Sequence, residues 1–470
     1  MTTNTSNFRR PLRHRRKGAI VVFAAFMLIV MVAMLALSID VGYMSLNKGQ
    51  VQRSVDAGAL AGVSEMMVDI DNAENVAREY VQKNYVGGDS IPTGQIDVEL
   101  GVWDSATRTF AATDESPSAI RVHGEQTNRP LFFANIFGAK QFSVQSEAVA
   151  RFQPRDIVVV LDYSASMNDD SELKHINKLG RSEVEANLLQ IYNELGAPQF
   201  GNLPWNPQYV SSNSNAFIKQ LFGLDSVPYP YPHGSWDDYI NYVKSNGNIN
   251  AAGYRKMYGG LTLVNYWLER RPSYEETPDL WQTSEQPITA VKDSVAVFFA
   301  YLQDFQTDDR VGLSIYTSED GTGKLESPLT DDFQHVEDIS RHRQAGHYDR
   351  YTNIGAGMQK AREELSANGR DGAQKMMVLM TDGIANRPHN PIAAKAFVME
   401  EAQKAKDAGF PIVTISLGTG ADTALMQAVA DLTGGIHFNI PGGSDVDQYE
   451  EDLKDAFRQI AGARPAVLVK

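Results

Sequence analysis

The chain has 470 residues, of which 43% are hydrophobic and 21% are charged, and it contains no cysteine. This composition excludes a fully disordered chain, a disulfide scaffold and any cysteine-ligated zinc or iron–sulfur site. The formal net charge of −15 argues against nucleic acid as the main partner, because phosphate binding needs a basic surface. At about 150 residues per domain, the length predicts about three structural units.

The N-terminal region has the pattern of a membrane anchor. Residues 19–39 carry no charge, and a helix of that length spans about 31 Å, close to the thickness of the hydrocarbon core. The charges before Asp40 are all basic, so the positive-inside rule places segment 1–17 in the cytoplasm. We therefore predict a single-pass protein of the cell membrane with a transmembrane helix at 18–39. The bulk of the chain is then periplasmic or extracellular.

A cleaved signal peptide is the alternative interpretation of this segment. Ala36-Leu37-Ser38 has the small residues of a cleavage site. The apolar region, however, is longer than the roughly 7–15 residues usual in signal peptides. This difference favours the anchor.

Residues 40–152 are predicted to form a helix followed by a small α+β domain. Period-2 alternation of apolar side chains indicates half-buried antiparallel strands. The predicted helices are 49–68, 73–85 and a short amphipathic one at 130–137, and the predicted strands are 95–104, 118–126 and 142–152. Gly58 and Gly62 lie four residues apart, a spacing that lets another backbone approach the helix closely. That backbone belongs either to another assembly protein or to the same domain.

The N-terminal part resembles a known family. The stretches K-G-A-I-V-V-F, S-I-D-V-G-Y and Q-R-S-V-D-A-G-A-L-A-G, within residues 14–64, are similar to those of TadG-like proteins of the tight-adherence (Flp) pilus machinery. The similarity extends more loosely to residue 152. The resemblance implies an envelope-anchored protein associated with pilus or secretion assembly components.

Residues 153–470 alternate strands with helices. Asp156–Leu161 is a short, continuously apolar run, typical of a strand that is buried on both faces. Further strands are predicted at 311–317, 375–382, 411–418 and 436–440, and helices at 288–303, 353–367, 391–409, 423–432 and 446–462. This alternation predicts an α/β fold with a doubly wound, mainly parallel sheet. Its functional loops would follow the carboxyl ends of the strands.

Three loops at such positions carry oxygen-bearing side chains. They are Asp162-x-Ser164-x-Ser166, the segment around Thr352, and Thr381-Asp382-Gly383. Together they resemble the von Willebrand factor type A (vWA) domain and its metal ion-dependent adhesion site. The resemblance implies a metal site made of Asp162, Ser164, Ser166, Thr352 and Asp382.

The chemistry of these groups agrees with that resemblance. Carboxylate and hydroxyl oxygens are hard ligands that suit a divalent cation, here Mg²⁺ with Mn²⁺ or Ca²⁺ as alternatives. Two carboxylates leave the ion some positive charge, so it can accept a carboxylate from a protein partner. No general base is evident, and we predict a binding protein, not an enzyme. The alternative is that the Asp and Ser side chains only cap the next helix.

About 120 residues, 168–287, separate the metal loop from the next predicted helix. This insertion contains four of the five tryptophans and is predicted to lie on the metal face, since it leaves from the metal loop. Its aromatic rings either bind a partner or form the core of the insertion itself. The candidate partner-binding residues are Trp205, Trp236, Tyr229 and Tyr231. His335, His342 and His347 fall in a polar stretch that we interpret as a solvated loop, with a zinc site as the weaker alternative.

Three functional hypotheses follow. The first is a membrane-anchored envelope protein that binds protein partners through a divalent-metal vWA site in pilus assembly, secretion or adhesion. The second is a structural, minor pilin-like scaffold subunit whose vWA domain needs no metal. The third, a metal-assisted hydrolase, requires a general base that the sequence does not identify.

Overall fold

A computed structural model describes residues 18–115, 117–304, 308–316, 323–441 and 446–470. The predicted cytoplasmic segment 1–17 lies outside the described residues. The chain divides into two compact units. The first consists of residues 1–152 and 466–470, and the second of residues 153–465.

The described helices and strands are numbered in chain order. The helices are α1 (Gly18–Glu65), α2 (Ile70–Lys83), α3 (Ile176–Leu179), α4 (Arg181–Glu194), α5 (Asn215–Leu221), α6 (Trp236–Ser245), α7 (Gly247–Ala251), α8 (Gly260–Arg270), α9 (Ile288–Asp304), α10 (Phe333–Arg341), α11 (Ile354–Asn368), α12 (Pro391–Asp407), α13 (Thr423–Thr433) and α14 (Val446–Gly462). The strands are β1 (Ile96–Asp104), β2 (Thr109–Ala112), β3 (Ala119–Pro130), β4 (Gln141–Phe152), β5 (Arg155–Asp162), β6 (Gln208–Tyr209), β7 (Met257–Tyr258), β8 (Arg310–Tyr316), β9 (Lys324–Thr330), β10 (Gln374–Thr381), β11 (Ile412–Leu417), β12 (His437–Ile440) and β13 (Ala466–Leu468).

Helix α1 continues without interruption from the predicted span into the first unit. Within the described residues, it is the one helix that is long and apolar enough to cross a membrane. Large apolar side chains from Ile20 to Leu37 are exposed along it. A lipid environment would cover these side chains, as expected of a membrane anchor.

The second half of α1 packs in the core of the first unit. Val51, Val55, Ala59 and Val63 recur every fourth residue and are fully buried, on a face that contacts α2, β3 and β4. A Cβ at Gly58 would lie 2.8 Å from the carbonyl oxygen of Ala77 in α2. One at Gly62 would lie 2.6 Å from Cδ1 of Ile120 in β3. The two glycines therefore admit neighbours of their own domain, the second of the alternatives above.

The sheet of the first unit is antiparallel, with strand order β13-β4-β3-β1-β2. Its strands β1, β3 and β4 confirm the three predicted strands. Two predictions need correction. The vWA region was expected to run to residue 470, but β13 pairs with β4 and belongs to the first unit.

The second correction concerns the short helix expected at 130–137. Strand β3 runs through Pro130, and only Ala134–Phe137 form a single 3-10 turn that ends at Gly138 in the left-handed region, φ 92°. Ten residues, 131–140, thus connect β3 to β4 as a closed loop. The spacing of apolar residues in this segment does not produce a helix, because the pairing of β3 with β4 fixes both ends of the loop.

The second unit has the predicted doubly wound sheet, with strand order β12-β11-β10-β5-β8-β9. Pairing is parallel throughout, except between β8 and the edge strand β9. Alternate residues of β5 enter opposite cores: Ile157 and Val159 pack with residues of α9 and α14, whereas Val158 and Val160 pack with residues of α11 and α12. Helices cover both faces, which explains why the central strand is apolar at consecutive positions.

Outside the insertion, two described elements of this unit, β9 and α10, were not predicted. Strand β9 lies at the sheet edge, where pairing depends on β8 more than on its own sequence pattern. Helix α10 occupies part of the stretch interpreted as a solvated loop, and this interpretation is wrong for Phe333–Arg341. The Asp332 side chain caps α10 by accepting a hydrogen bond from His335 N, while Phe333 and Val336 are buried.

The insertion folds into helices α3 to α8 and the short β6–β7 pair. It has its own hydrophobic core, formed by residues between Leu173 and Leu280. The candidate partner-binding rings lie in or against that core: Trp236 is buried, and Trp205, Tyr229 and Tyr231 pack on it. Trp236 Nε1 donates to Val227 O, and Trp267 Nε1 donates to the Tyr229 hydroxyl. The structure thus favours the core-forming alternative for these four residues.

Candidate functional site

The first loop of the site follows β5. Every residue of this strand is buried, so its last residue, Asp162, presents a carboxylate with no exposed surface. Ser164 N donates to Asp162 Oδ1 at 2.9 Å, and a 3-10 helix, Ala165–Ser171, begins directly afterwards. The chain turn therefore places the hydroxyls of Ser164 and Ser166 beside each other, 3.0 Å apart.

The second loop follows β10, the neighbour of β5 in the sheet. The Thr381 hydroxyl donates to Asp162 Oδ2 at 2.9 Å, and the Ser166 hydroxyl donates to Asp382 Oδ1 at 2.7 Å. Because β5 and β10 are parallel neighbours, their carboxyl ends meet at one edge of the sheet. The two carboxylates are therefore held in one hydrogen-bonded cluster.

The third loop precedes α11 and brings Thr352 to the same place. Thr352 N donates to Asn386 Oδ1, and Asn386 N donates to Thr352 O, both at 3.0 Å. A Cβ added at Gly383 would lie 3.7 Å from both Ser166 Oγ and Thr352 Oγ1. The structure thus gathers all five residues that the resemblance implied.

The electrostatics of the cluster are unbalanced. Burial raises the pKa of Asp162, against the hydrogen bonds from Ser164 and Thr381. Burial and then the charge of Asp162 raise the pKa of Asp382 well above its ordinary value. In the part of the chain that the structure describes, no lysine, arginine or histidine forms an ion pair with either carboxylate. A buried pair of carboxylates without a cation favours either a shared proton or a bound positive ion.

The donor set fits a hard divalent cation. Its two carboxylates and the hydroxyls of Ser164, Ser166 and Thr352 are the oxygen ligands that Mg²⁺, Mn²⁺ and Ca²⁺ accept. Among the described residues, no group of three or more His, Cys, Asp or Glu side chains is placed to hold a metal. The cluster has too few carboxylates to be such a group, so a cation there would depend on the hydroxyls.

A cavity of about 230 Å³ opens at this cluster. Ser166, Asp382 and Gly383 line one side, and the loop after β11 lines another. The remaining wall comes from the insertion: Asp169, Asp170, His175 and Lys178. His175 Nδ1 lies 2.9 Å from Asp170 Oδ1, and Lys178 Nζ lies 3.5 Å from the same oxygen.

These four wall residues were missed by sequence reasoning. Their signal was proximity alone, since they follow the D-x-S-x-S loop within twelve residues. The start of the insertion thus lines the cavity at the carboxyl ends of the strands, the face where the insertion was predicted to lie.

The histidines of the polar stretch have other roles. The His342 ring stacks on Trp281, with centroids 4.3 Å apart. His347 is buried, and its Nδ1 accepts a hydrogen bond from Gln344 N at 3.4 Å. Both rings therefore pack against other side chains of the second unit.

Three family models match the chain. Residues 18–65 match the Flp pilus-assembly TadE/G-like family, and residues 57–150 match the Tad-like Flp pilus-assembly family. Residues 281–450 match the von Willebrand factor type A domain. This last match begins near the end of the insertion, yet β5 and its D-x-S-x-S loop lie before the insertion, and β5 pairs with β10 and β8 in the same sheet. The predicted resemblance and fold class are confirmed.

Several solved structures are similar to the chain. An aerotolerance-related membrane protein from Bacteroides fragilis is 16% identical (TM-score 0.28, covering 37% of this chain and 90% of that one). A von Willebrand factor type A protein from Catenulispora acidiphila is 10% identical (TM-score 0.33, 77% and 48%). The pilus adhesin SpaC from Lactobacillus rhamnosus GG is 12% identical (TM-score 0.34, 78% and 34%). Among curated proteins no match is found.

Proposed function

The chain joins Tad-type Flp pilus-assembly regions to a vWA domain, and from this premise we propose that it is a membrane-anchored binding protein of pilus assembly, not an enzyme. Its vWA site would hold a divalent cation, Mg²⁺ in the first place. A protein partner would supply a carboxylate to that ion. The anchor would be the apolar part of α1, with the basic segment 1–17 in the cytoplasm and the residues after Asp40 on the other side of the membrane.

The observation that carries this proposal is the convergence of the five residues in one cluster, of which Ser166 and Asp382 line the cavity. The side chains of this chain fix two carboxylates and three hydroxyls before any ligand arrives, so little ordering cost remains. A bound cation supplies a positively charged point that attracts an anionic group.

The serine hydroxyls contact each other and one carboxylate. Ser164 lies against Ser166, and Ser166 donates to Asp382, which under this proposal would be a ligand of the cation and therefore not a free base. A nucleophilic serine needs a neighbouring base as its hydrogen-bond acceptor, with that base oriented by a third group. His175 is oriented by Asp170 in the same cavity, so ester turnover lost in His175→Ala would revive the hydrolase hypothesis.

The test uses the full chain, expressed in cells that assemble the pilus. We expect Asp162→Ala to prevent the recovery of assembly components with the protein, and EDTA to release them from the wild type. Asp407→Asn, an exposed site at the end of α12, is the matched control. Components retained in both EDTA and Asp162→Ala would favour the metal-independent scaffold instead.

A further inference from the structure

We propose that the loop between β3 and β4, residues 131–140, inserts its apolar side chains into the membrane surface beside α1. This loop is called the β3–β4 loop below. The proposal rests on α1 as the anchor and adds a second membrane contact, independent of the cation site. Its ligand is the lipid bilayer itself.

The β3–β4 loop exposes an unusual amount of apolar surface. Phe132 is 59% exposed, Phe133 38%, Ile136 81% and Phe137 81%. Single exposed apolar residues are ordinary, whereas four within six residues form a patch of the kind that marks a protein or membrane contact.

Hydrogen bonds fix the loop at the level where the apolar part of α1 ends. The Asp40 carboxylate accepts from Phe132 N at 2.9 Å, Phe133 N at 3.0 Å and Ala134 N at 2.6 Å. Asp40 is the first charged residue after the apolar run. The residues from Ile20 to Ile39 span about 30 Å in helical form, which matches the hydrocarbon thickness. Asp40, and the loop attached to it, therefore lie at the membrane–water boundary.

The loop is held in one shape. Leu131 N donates to Lys140 O at 3.0 Å, and Ala139 N donates to Ala134 O at 3.2 Å. The Phe132 ring packs edge-on against Tyr43 of α1, with centroids 5.0 Å apart. Because the loop is already ordered, inserting its apolar side chains into the boundary costs little conformational entropy.

Continuity favours lipid over a protein partner. The patch adjoins the exposed apolar surface of α1 from Ile20 to Leu37, which needs the same environment. Amphipathic elements that lie in the interface bury apolar residues about 5–10 Å into the headgroup–acyl boundary. A loop tied to the helix at that boundary is within this depth.

The absence of native cysteine makes a direct test simple. Phe137→Cys and, separately, Ile136→Cys are labelled with the fluorophore NBD in the full chain. The protein is reconstituted in nanodiscs of phosphatidylcholine and phosphatidylglycerol, with or without nitroxide on the acyl chains. Leu28→Cys, inside the predicted span, is the positive control, and Val68→Cys, 82% exposed and beyond the end of α1, is the negative control.

We expect labels at 137 and 136 to be quenched by the nitroxide lipid at least half as strongly as the label at 28, with little quenching at 68. Quenching by aqueous iodide instead would overturn the proposal. Protection from both quenchers would also overturn it, since a second copy or another protein would then cover the loop. The label at 28 reports the anchor separately, so failure of the loop proposal is distinguishable from failure of the anchor.

Discussion

Strand β5 carries a buried aspartate near each end, and the two carboxylates have different hydrogen-bond partners. Asp156, near the start, is bound by Arg310 through Nε and Nη2 at 3.0 and 2.8 Å, and by Arg370 through the same atoms at 3.1 and 2.8 Å. Asp162, at the end, has hydrogen bonds from hydroxyl and amide groups only among the described contacts. Both carboxylates are without exposed surface.

The pKa shifts express this difference. Burial would raise the pKa of Asp156, but the hydrogen bonds from Arg310 and Arg370 outweigh it and hold the pKa below its ordinary value. Burial raises the pKa of Asp162. The amino end of the strand is thus neutralised by arginines of the chain itself, whereas the described contacts give Asp162 at the carboxyl end no cationic partner.

The largest expected effect comes from breaking the amino end. Asp156→Asn leaves two arginines without their carboxylate and should destabilise the second unit by about 3 kcal/mol. This value is at the lower end of the range for a broken buried ion pair, because both arginines are partly exposed. Denaturant unfolding in EDTA, followed by tryptophan fluorescence, measures this, since four of the five tryptophans lie in that unit.

The matched variant at the other end, Asp162→Asn, should not lower the free energy of unfolding in EDTA. It removes a buried charge that lacks a cationic partner, so stability should stay equal or rise. Equal losses at the two ends would mean that Asp162 is already neutralised within the protein.

A divalent cation should stabilise the folded protein, because it would supply the positive charge that the carboxylates of Asp162 and Asp382 lack. A cation that binds only the folded protein stabilises it by about 2.7 kcal/mol at one hundred times its dissociation constant. We expect this gain with Mg²⁺ in the wild type and none in Asp382→Ala, measured by thermal unfolding of the full chain. Asp170→Ala, which alters the cavity wall but not the five-residue set, should keep most of the gain. A gain that persists in Asp382→Ala would place the ion elsewhere.

The sequence predicted the carboxyl-end cluster but not the arginine partners of Asp156. The apolar run of β5 and the oxygen-bearing residues after it predicted the sheet and the carboxyl-end cluster, because strand ends and loop residues are local features. The arginines that neutralise Asp156 are more than 150 residues away, and no local pattern connects them. Long-range pairing of this kind is read only from the fold.

Ambiguous patterns show the same limit. Aromatic residues in the insertion and glycines in α1 suit either a partner or the protein's own core, and packing decided for the core in both. The β3–β4 loop is the reverse case: a pattern that predicted a helix gave an exposed apolar turn fixed by Asp40. Side-chain chemistry indicated which residues matter, and tertiary contacts determined how they are used.

A buried histidine should add a pH dependence that must be separated from the carboxylates. Burial, then the charges of Arg343 and Lys292, lower the pKa of His347 to about 3. The stability it contributes is complete above its unfolded pKa of about 6.5 and is lost as the pH falls toward the folded value. Between pH 7 and pH 5, we expect a loss of about 2 kcal/mol in the wild type and a smaller one in His347→Asn, by denaturant unfolding. Identical slopes would show that the ring is protonated in place.

The smallest expected effect is the titration of the carboxyl-end pair, measured in EDTA in the His347→Asn background. The folded pKa values of Asp162 and Asp382 are raised, so the folded state holds more protons, and stability should fall as the pH rises from the ordinary carboxyl pKa of about 4 through the folded values. Asp382→Asn should flatten this slope. Saturating Mg²⁺ should reverse it, because protons then compete with the cation. Asp156, whose pKa is lowered, changes the stability in the opposite direction. Its contribution is lost as the pH falls below the ordinary carboxyl pKa. A slope unaffected by Asp382→Asn and by Mg²⁺ would mean that the two ends of β5 do not differ as their contacts indicate.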